Sequence, residues 1–185
     1  MDDGRDKFYV LATPRSRSNW LSRFLSTPTC TVDHEGSYKY SNVEDMNNRD
    51  NPDGIVDTGL SLLWDKLQGK ILIVRRNPED CLKSLILRAK KFNLVRSEDS
   101  LREELRIGNA CLDAAEAYHP SIGFDDLQNE SACKEIFEYL TCEPFDRDRW
   151  LNMKDVNLQS DWAEKKRQLE NIDNSKLLYK DFLHE

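Results

Sequence analysis

Phe8-Tyr9-Val10-Leu11-Ala12 is a short apolar run, and Ser18 to Leu25 places Trp20, Leu21, Phe24 and Leu25 on one helical face. Between them lies only Thr13-Pro14-Arg15-Ser16-Arg17. A buried strand feeding a helix through so tight a turn belongs to parallel α/β architecture. The same order sets backbone N–H groups at a helix N-terminus beside hydroxyls and guanidinium groups. Such a corner is suited to holding a phosphate or sulfate. Pro14 stiffens the chain as it leaves the strand. Ser18 is expected at or near the N-cap, and Arg15 is placed to neutralise a multiply charged group. The G-x-x-x-x-G-K-[ST] pattern of a nucleotide-binding P-loop is absent, although the corner works in a similar way. Taken alone, the segment fits a capped helix with exposed arginines equally well.

A second corner repeats the first. Lys70-Ile71-Leu72-Ile73-Val74 is an unbroken apolar run of the kind found in buried parallel strands. Arg75-Arg76 follows, and Asn77-Pro78-Glu79-Asp80 then starts a helix, with Asn77 as N-cap, Pro78 at the first helical position and acids in the first turn. Leu82, Leu85, Ile86 and Ala89 form the buried stripe of that helix, while Ser84, Arg88 and Lys91 form a separate polar stripe. Arg76 and Ser84 can then grip one anion from two directions. The plainer alternative is a solvated basic face.

Further strands are expected at Thr29–Val32, at Ile55–Asp57 and at Ser121–Phe124, with helices near 60–67, 100–118, 131–140, 146–153, 161–170 and 175–183. Tyr38 to Asn48 is polar and weakly helical. The alternation predicts an α/β fold: a three-layer parallel sheet, with the last third as a helical cap. A chain of 185 residues is most simply one domain, spanning 1–185.

Composition narrows the function. A net charge of -7 excludes a general nucleic-acid binder, which carries a basic face, but leaves small anionic ligands open because local charge decides them. No apolar run approaches the roughly 20 residues of a membrane span, so no membrane partner is expected. The acidic start Met1-Asp2-Asp3 lacks the form of a signal peptide, and a cytoplasmic location follows by default. The five cysteines are odd in number and none has C-x-x-C spacing, so no metal site or disulfide framework is expected.

Together the two corners resemble the cofactor signatures of sulfotransferases that use 3′-phosphoadenosine 5′-phosphosulfate (PAPS). The family's first signature reads T-x-P-[KR]-S-G-[ST]-x-W. Thr13, Arg15, Ser16, Ser18 and Trp20 match it, with Pro14 one place early. The second reads R-[ND]-P-x-[DE]-x-x-x-S, and Arg76, Asn77, Pro78, Asp80 and Ser84 match every defined place. Phe124-Asp125-Asp126-Leu127 is similar to the family's Y-E-D-L element, and weaker similarity runs on to Val156-Asn157.

The resemblance implies a P-loop sulfotransferase-type fold and a site. Arg15 stands where the family's basic residue contacts the 5′-phosphosulfate. The backbone of Ser16, Arg17, Ser18 and Asn19, with the Ser18 hydroxyl, is expected to cradle that phosphate. Arg76 and Ser84 are expected to hold the 3′-phosphate. Trp20 matches an adenine-stacking residue, or else anchors the first helix in the core. Arg17 replaces the family's glycine, which is costly if the backbone there has positive φ. A differently shaped turn, with Arg17 as an extra ligand for the sulfuryl group or the acceptor, is the alternative. The family's C-terminal R-K-G segment is missing.

Transfer also needs a base. Cys30-Thr31-Val32-Asp33-His34-Glu35-Gly36 returns the chain to the ligand-binding edge of the sheet, so His34 and Glu35 are both candidates, with Glu35 slightly preferred. Asp57-Thr58-Gly59 reads as an ordinary N-cap. The expected activity is sulfuryl transfer from PAPS to a hydroxyl or amine of a small-molecule acceptor, releasing 3′-phosphoadenosine 5′-phosphate (PAP). The alternatives are a non-catalytic nucleotide-binding protein of the same fold and a P-loop phosphotransferase. Nothing in the sequence specifies the acceptor or an oligomeric state.

Overall fold

The computed structural model describes residues 6–48 and 52–156. The two helices expected at 161–170 and 175–183, and Asn157, lie outside the described residues.

Five parallel strands form one sheet: β1 (Phe8–Ala12), β2 (Val32–His34), β3 (Gly54–Asp57), β4 (Lys70–Arg75) and β5 (Ser121–Gly123), in the order β2-β3-β1-β4-β5. The helices are α1 (Ser18–Leu25), α2 (Val43–Asn47), α3 (Pro78–Lys91), α4 (Glu98–Ala115), α5 (Glu130–Thr141) and α6 (Arg147–Met153). Short 3-10 helices cover Gly36–Lys39, Gly59–Lys66 and Phe124–Gln128. The parallel sheet between helices is the predicted α/β class. β1 lies at its centre, where the chain first winds one way to β2 and β3 and later the other way to β4 and β5.

The period of two along β1 divides the core. Phe8, Val10 and Ala12 pack with Trp20, Leu21, Phe24 and Leu25 of α1 and with Phe137, Leu140 and Trp150 of α5 and α6. Tyr9 and Leu11 face the opposite layer with Leu60, Met46 and Leu112. A third cluster joins α3 to α4 through Cys81, Leu82, Leu101 and Leu105. Gly69 has φ +144, and a Cβ there would meet the Lys7 carbonyl oxygen at 2.1 Å. That glycine lets β4 enter beside β1. The 3-10 helix before it stops at Lys66.

Two elements differ from expectation in ways that matter to the site. β2 spans Val32–His34 instead of 29–32, because Thr27 and Cys30 close a turn of their own: the Thr27 N–H donates to the Cys30 carbonyl at 2.8 Å. His34 thereby becomes the last residue of the strand, and Glu35 stands at the carboxyl edge of the sheet. The region near 60–67 is 3-10 rather than α-helical. α5 and α6 pack against α1. None of the five cysteines is in a disulfide. Among the described residues no helix is long and apolar enough to cross a membrane.

Arg149 of α6 ties the end of α1. Its Nε donates to the Phe24 carbonyl at 2.9 Å, and its Nη2 donates to the Arg23 carbonyl. A cation on terminal carbonyls satisfies acceptors that the helix leaves open and complements its dipole. Arg149→Ala is expected to lower stability by about 1–2 kcal/mol, read as a shift in urea midpoint at unchanged slope. No shift would mean that these hydrogen bonds contribute nothing net.

Candidate anion-binding site

In an open α/β sheet a ligand crevice forms where the winding reverses, outside the carboxyl ends of the strands. Here that place lies between β1 and β4, and the two basic corners follow exactly these strands.

The β1 corner is wound tightly. The Ser16 N–H and hydroxyl both donate to the Thr13 carbonyl, at 3.3 and 2.6 Å, so Ser16 is buried and occupied within the turn. Arg15 and Arg17 both have left-handed backbones, with φ 69 and 64. The turn thus keeps a left-handed residue where the resembled pattern has glycine, although a side chain there costs about 1–2 kcal/mol. The N-cap of α1 is Arg17, not Ser18, and no side chain caps the helix. The N–H groups of Ser18 and Asn19 have no hydrogen-bond partner among the described residues. They are the open donors of a helix start.

The β4 corner meets it directly. The Arg76 N–H donates to Thr13 Oγ1 at 3.1 Å, and Arg76 Nη1 donates to the Arg15 carbonyl at 2.6 Å. Arg15 Nε donates to Ser84 Oγ at 3.0 Å. Arg15, Arg76 and Ser84 therefore meet at the carboxyl edge between β1 and β4. Arg88, from the polar stripe of α3, adds to it: burial lowers the Arg15 pKa, and the charges of Arg88 and Arg76 lower it further. Cations crowded in this way raise the local potential, and an anion between them would relieve it. Arg75 points elsewhere, pairing with Asp113 at 2.7 Å and Glu116 at 3.8 Å.

Ser18 is the first residue of α1, and its hydroxyl reaches across to β2 instead of capping the helix. Its Oγ lies 3.1 Å from His34 Nε2. The same ring nitrogen is 3.7 Å from Glu35 Oε1. Glu35 has φ 49 and sits in the left-handed region. The loop behind it is fastened by Asp57, whose buried carboxylate accepts from the Ser37 N–H at 3.1 Å, from the Ser37 hydroxyl and from the Gly59 N–H at 2.8 Å. Burial pushes the Asp57 pKa up, against the pull of these hydrogen bonds. Thr58 provides no side-chain cap, so Asp57 is the working residue of that turn.

The chain is similar in structure to a crystal structure of a sulfotransferase from Alicyclobacillus acidocaldarius. The match covers 95% of this chain and 94% of that one, with a TM-score of 0.56 and 14% sequence identity. The fold is that of a sulfotransferase. No protein-family model matches the sequence, and no curated protein matches it.

Within this fold, Trp20 takes the second of its two expected places and Arg17 does not reach out as an extra ligand. Trp20 is 1% exposed, stacks on Phe24 at 4.8 Å and donates from Nε1 to the Met153 carbonyl at 2.7 Å. It is a core anchor, and a ring so covered offers adenine no face. Arg17 is not an outstretched ligand. Its guanidinium lies over the Trp20 and Phe124 rings at 5.6 and 5.7 Å. The Gln128 carboxamide, with its oxygen turned inward, accepts from both Arg17 Nη1 and Nη2 at 2.7 Å. Phe124 is the residue that sequence reasoning passed over as a site member. It also carries Arg76 at 4.4 Å from its ring centre. The usable signal was its place, directly after β5 at the carboxyl edge.

Proposed function

We propose that the protein is a PAPS-dependent sulfotransferase acting on a hydroxyl or amine of a small-molecule acceptor. The observation that carries this reading is the meeting of the two corners at the carboxyl edge between β1 and β4, where Arg15 Nε reaches Ser84 Oγ and Arg76 Nη1 reaches the Arg15 carbonyl. PAPS bears an anionic group at each end of the adenosine, and two basic corners answer two anions. The uncapped amides of Ser18 and Asn19 and the Arg15 side chain are assigned to the 5′ end. Arg76 and Ser84 are assigned to the 3′-phosphate.

When bound, PAPS supplies the sulfuryl group and departs as PAP. Arg15 places positive charge beside the phosphate oxygen that becomes more negative during transfer. Positioning and electrostatics dominate, as in phosphoryl transfer. His34 is assigned as the base. Unprotonated Nε2 accepts from the Ser18 hydroxyl, and once that hydroxyl turns to the bound phosphate the lone pair is open to the acceptor's proton. Glu35, 3.7 Å away, stabilises the imidazolium that results. His34 is assigned ahead of Glu35 because its ring lies against Ser18 of the anion-binding turn. The compartment is proposed to be cytoplasmic.

Titration calorimetry with PAP and with ATP tests this. PAP is expected to bind without Mg²⁺ and more tightly than ATP. Arg76→Ala is expected to weaken PAP by about 2 kcal/mol, roughly 30-fold. A folded protein that ignores PAP would overturn the assignment, and ATP binding that requires Mg²⁺ would point to a phosphotransferase. PAP binding with no transfer across an acceptor panel would leave a nucleotide-binding protein of this fold.

A further inference from the structure

Arg17 bridges two parts of the carboxyl edge that the proposed reaction uses separately. One end of its side chain is rooted in the β1 turn at a left-handed position. The other end is clasped by Gln128 and lies over Phe124, both from the 3-10 helix that follows β5. Phe124 in turn lies against the guanidinium of Arg76, whose Nη1 returns to the Arg15 carbonyl. The path is a ring: β1 turn, Arg17, Phe124, Arg76 and back to the β1 turn. Two of its contacts are guanidinium groups over one aromatic ring, which orders long side chains that otherwise sample many rotamers.

From this geometry we infer that Arg17 is a positioning residue for specificity. Through Gln128 and Phe124 it fixes Arg76 in the orientation that recognises a second phosphate on the nucleotide. The inference rests on the PAPS reading above and deepens it. It gives the arginine a role at a backbone position that favours glycine: the side chain makes contacts at its far end that glycine cannot make. Arg17 itself touches neither phosphate in this account. Its removal is therefore expected to affect one end of the ligand and spare the other.

The ligands that separate the two ends are PAP and 5′-AMP, which differ by the 3′-phosphate. Their affinity ratio reports the Arg76 arm, because the contacts to the 5′-phosphate cancel. Arg17→Gly is expected to lower the PAP-to-AMP affinity ratio about fivefold to tenfold, with AMP binding little changed and a melting temperature equal to or above wild type, since glycine relieves the left-handed backbone. Gln128→Ala leaves the turn's backbone untouched and is expected to lower the ratio in the same direction by a smaller factor. It also serves as the test if Arg17→Gly fails to fold. A purely structural Arg17 would lower the melting temperature and leave the ratio alone. An unchanged ratio in the folded variants overturns the inference while the PAPS reading stands. A wild-type protein that binds PAP no better than AMP overturns both.

Discussion

His34→Ala is expected to slow sulfuryl transfer by about 10²–10⁴-fold, the usual range for loss of a positioned acid or base. PAP affinity is expected to change by less than about 1 kcal/mol, because the Ser18 hydroxyl that His34 touches remains in place. Glu35→Gln tests the division of labour between the two neighbours. If His34 takes the proton and Glu35 only stabilises the charged ring, the Gln variant loses about tenfold or less, the scale of a partly exposed charge pair. If Glu35 is the base, the order reverses: Glu35→Gln suffers the large loss and His34→Ala the small one. Ser18→Ala provides the control for the shared hydroxyl. It should weaken PAP binding and turnover together, whereas His34→Ala separates them.

The strands and both basic corners were legible because they depend on local chemistry. Lys70–Val74 is apolar at every place after its lysine, and Asn77-Pro78-Glu79-Asp80 is a complete helix start: Asn77 accepts from the Glu79 and Asp80 N–H groups as its residue type predicts. That Arg15 and Ser84 come together was legible only through the resemblance, since 69 positions separate them. What the sequence hid was set by tertiary context. The turn at Thr27–Cys30 takes residues that have strand propensity and shifts β2 onward, and only that shift brings His34 level with Ser18. Ser18 looked like a cap by type, yet the left-handed backbone of Arg17 turns its hydroxyl toward β2. Likewise, no local pattern reveals that Gln128, an exposed polar residue, holds Arg17, or that Phe124 lies under Arg76. These depend on where the turn after β5 falls relative to the turns after β1 and β4.

Trp20→Ala is expected to lower folding stability by about 3–5 kcal/mol, the usual range for removing a large aromatic side chain from a packed core. The indole is covered: Phe24 stacks on it at an interplanar angle of 21°, the Arg17 guanidinium lies over its ring, and Phe24 continues the cluster to Phe137 at 5.4 Å and Phe145 at 6.4 Å. Its N–H joins α1 to the end of α6 through the Met153 carbonyl. The Ala variant therefore loses both packing and one of the side-chain hydrogen bonds that join α1 to α6. Trp20→Phe divides the effect. It keeps most of the ring, drops the hydrogen bond and is expected to lose only about 1–2 kcal/mol, so it remains folded and can be titrated with PAP. A core anchor predicts near-normal PAP affinity in the folded Phe variant, because a ring with 1% exposure meets no ligand. An adenine platform predicts the opposite pattern: stability nearly intact and PAP affinity reduced, since phenylalanine offers a smaller stacking face. The second pattern would mean that α1 opens away from α6 when nucleotide enters, exposing a tryptophan that the unliganded fold keeps covered.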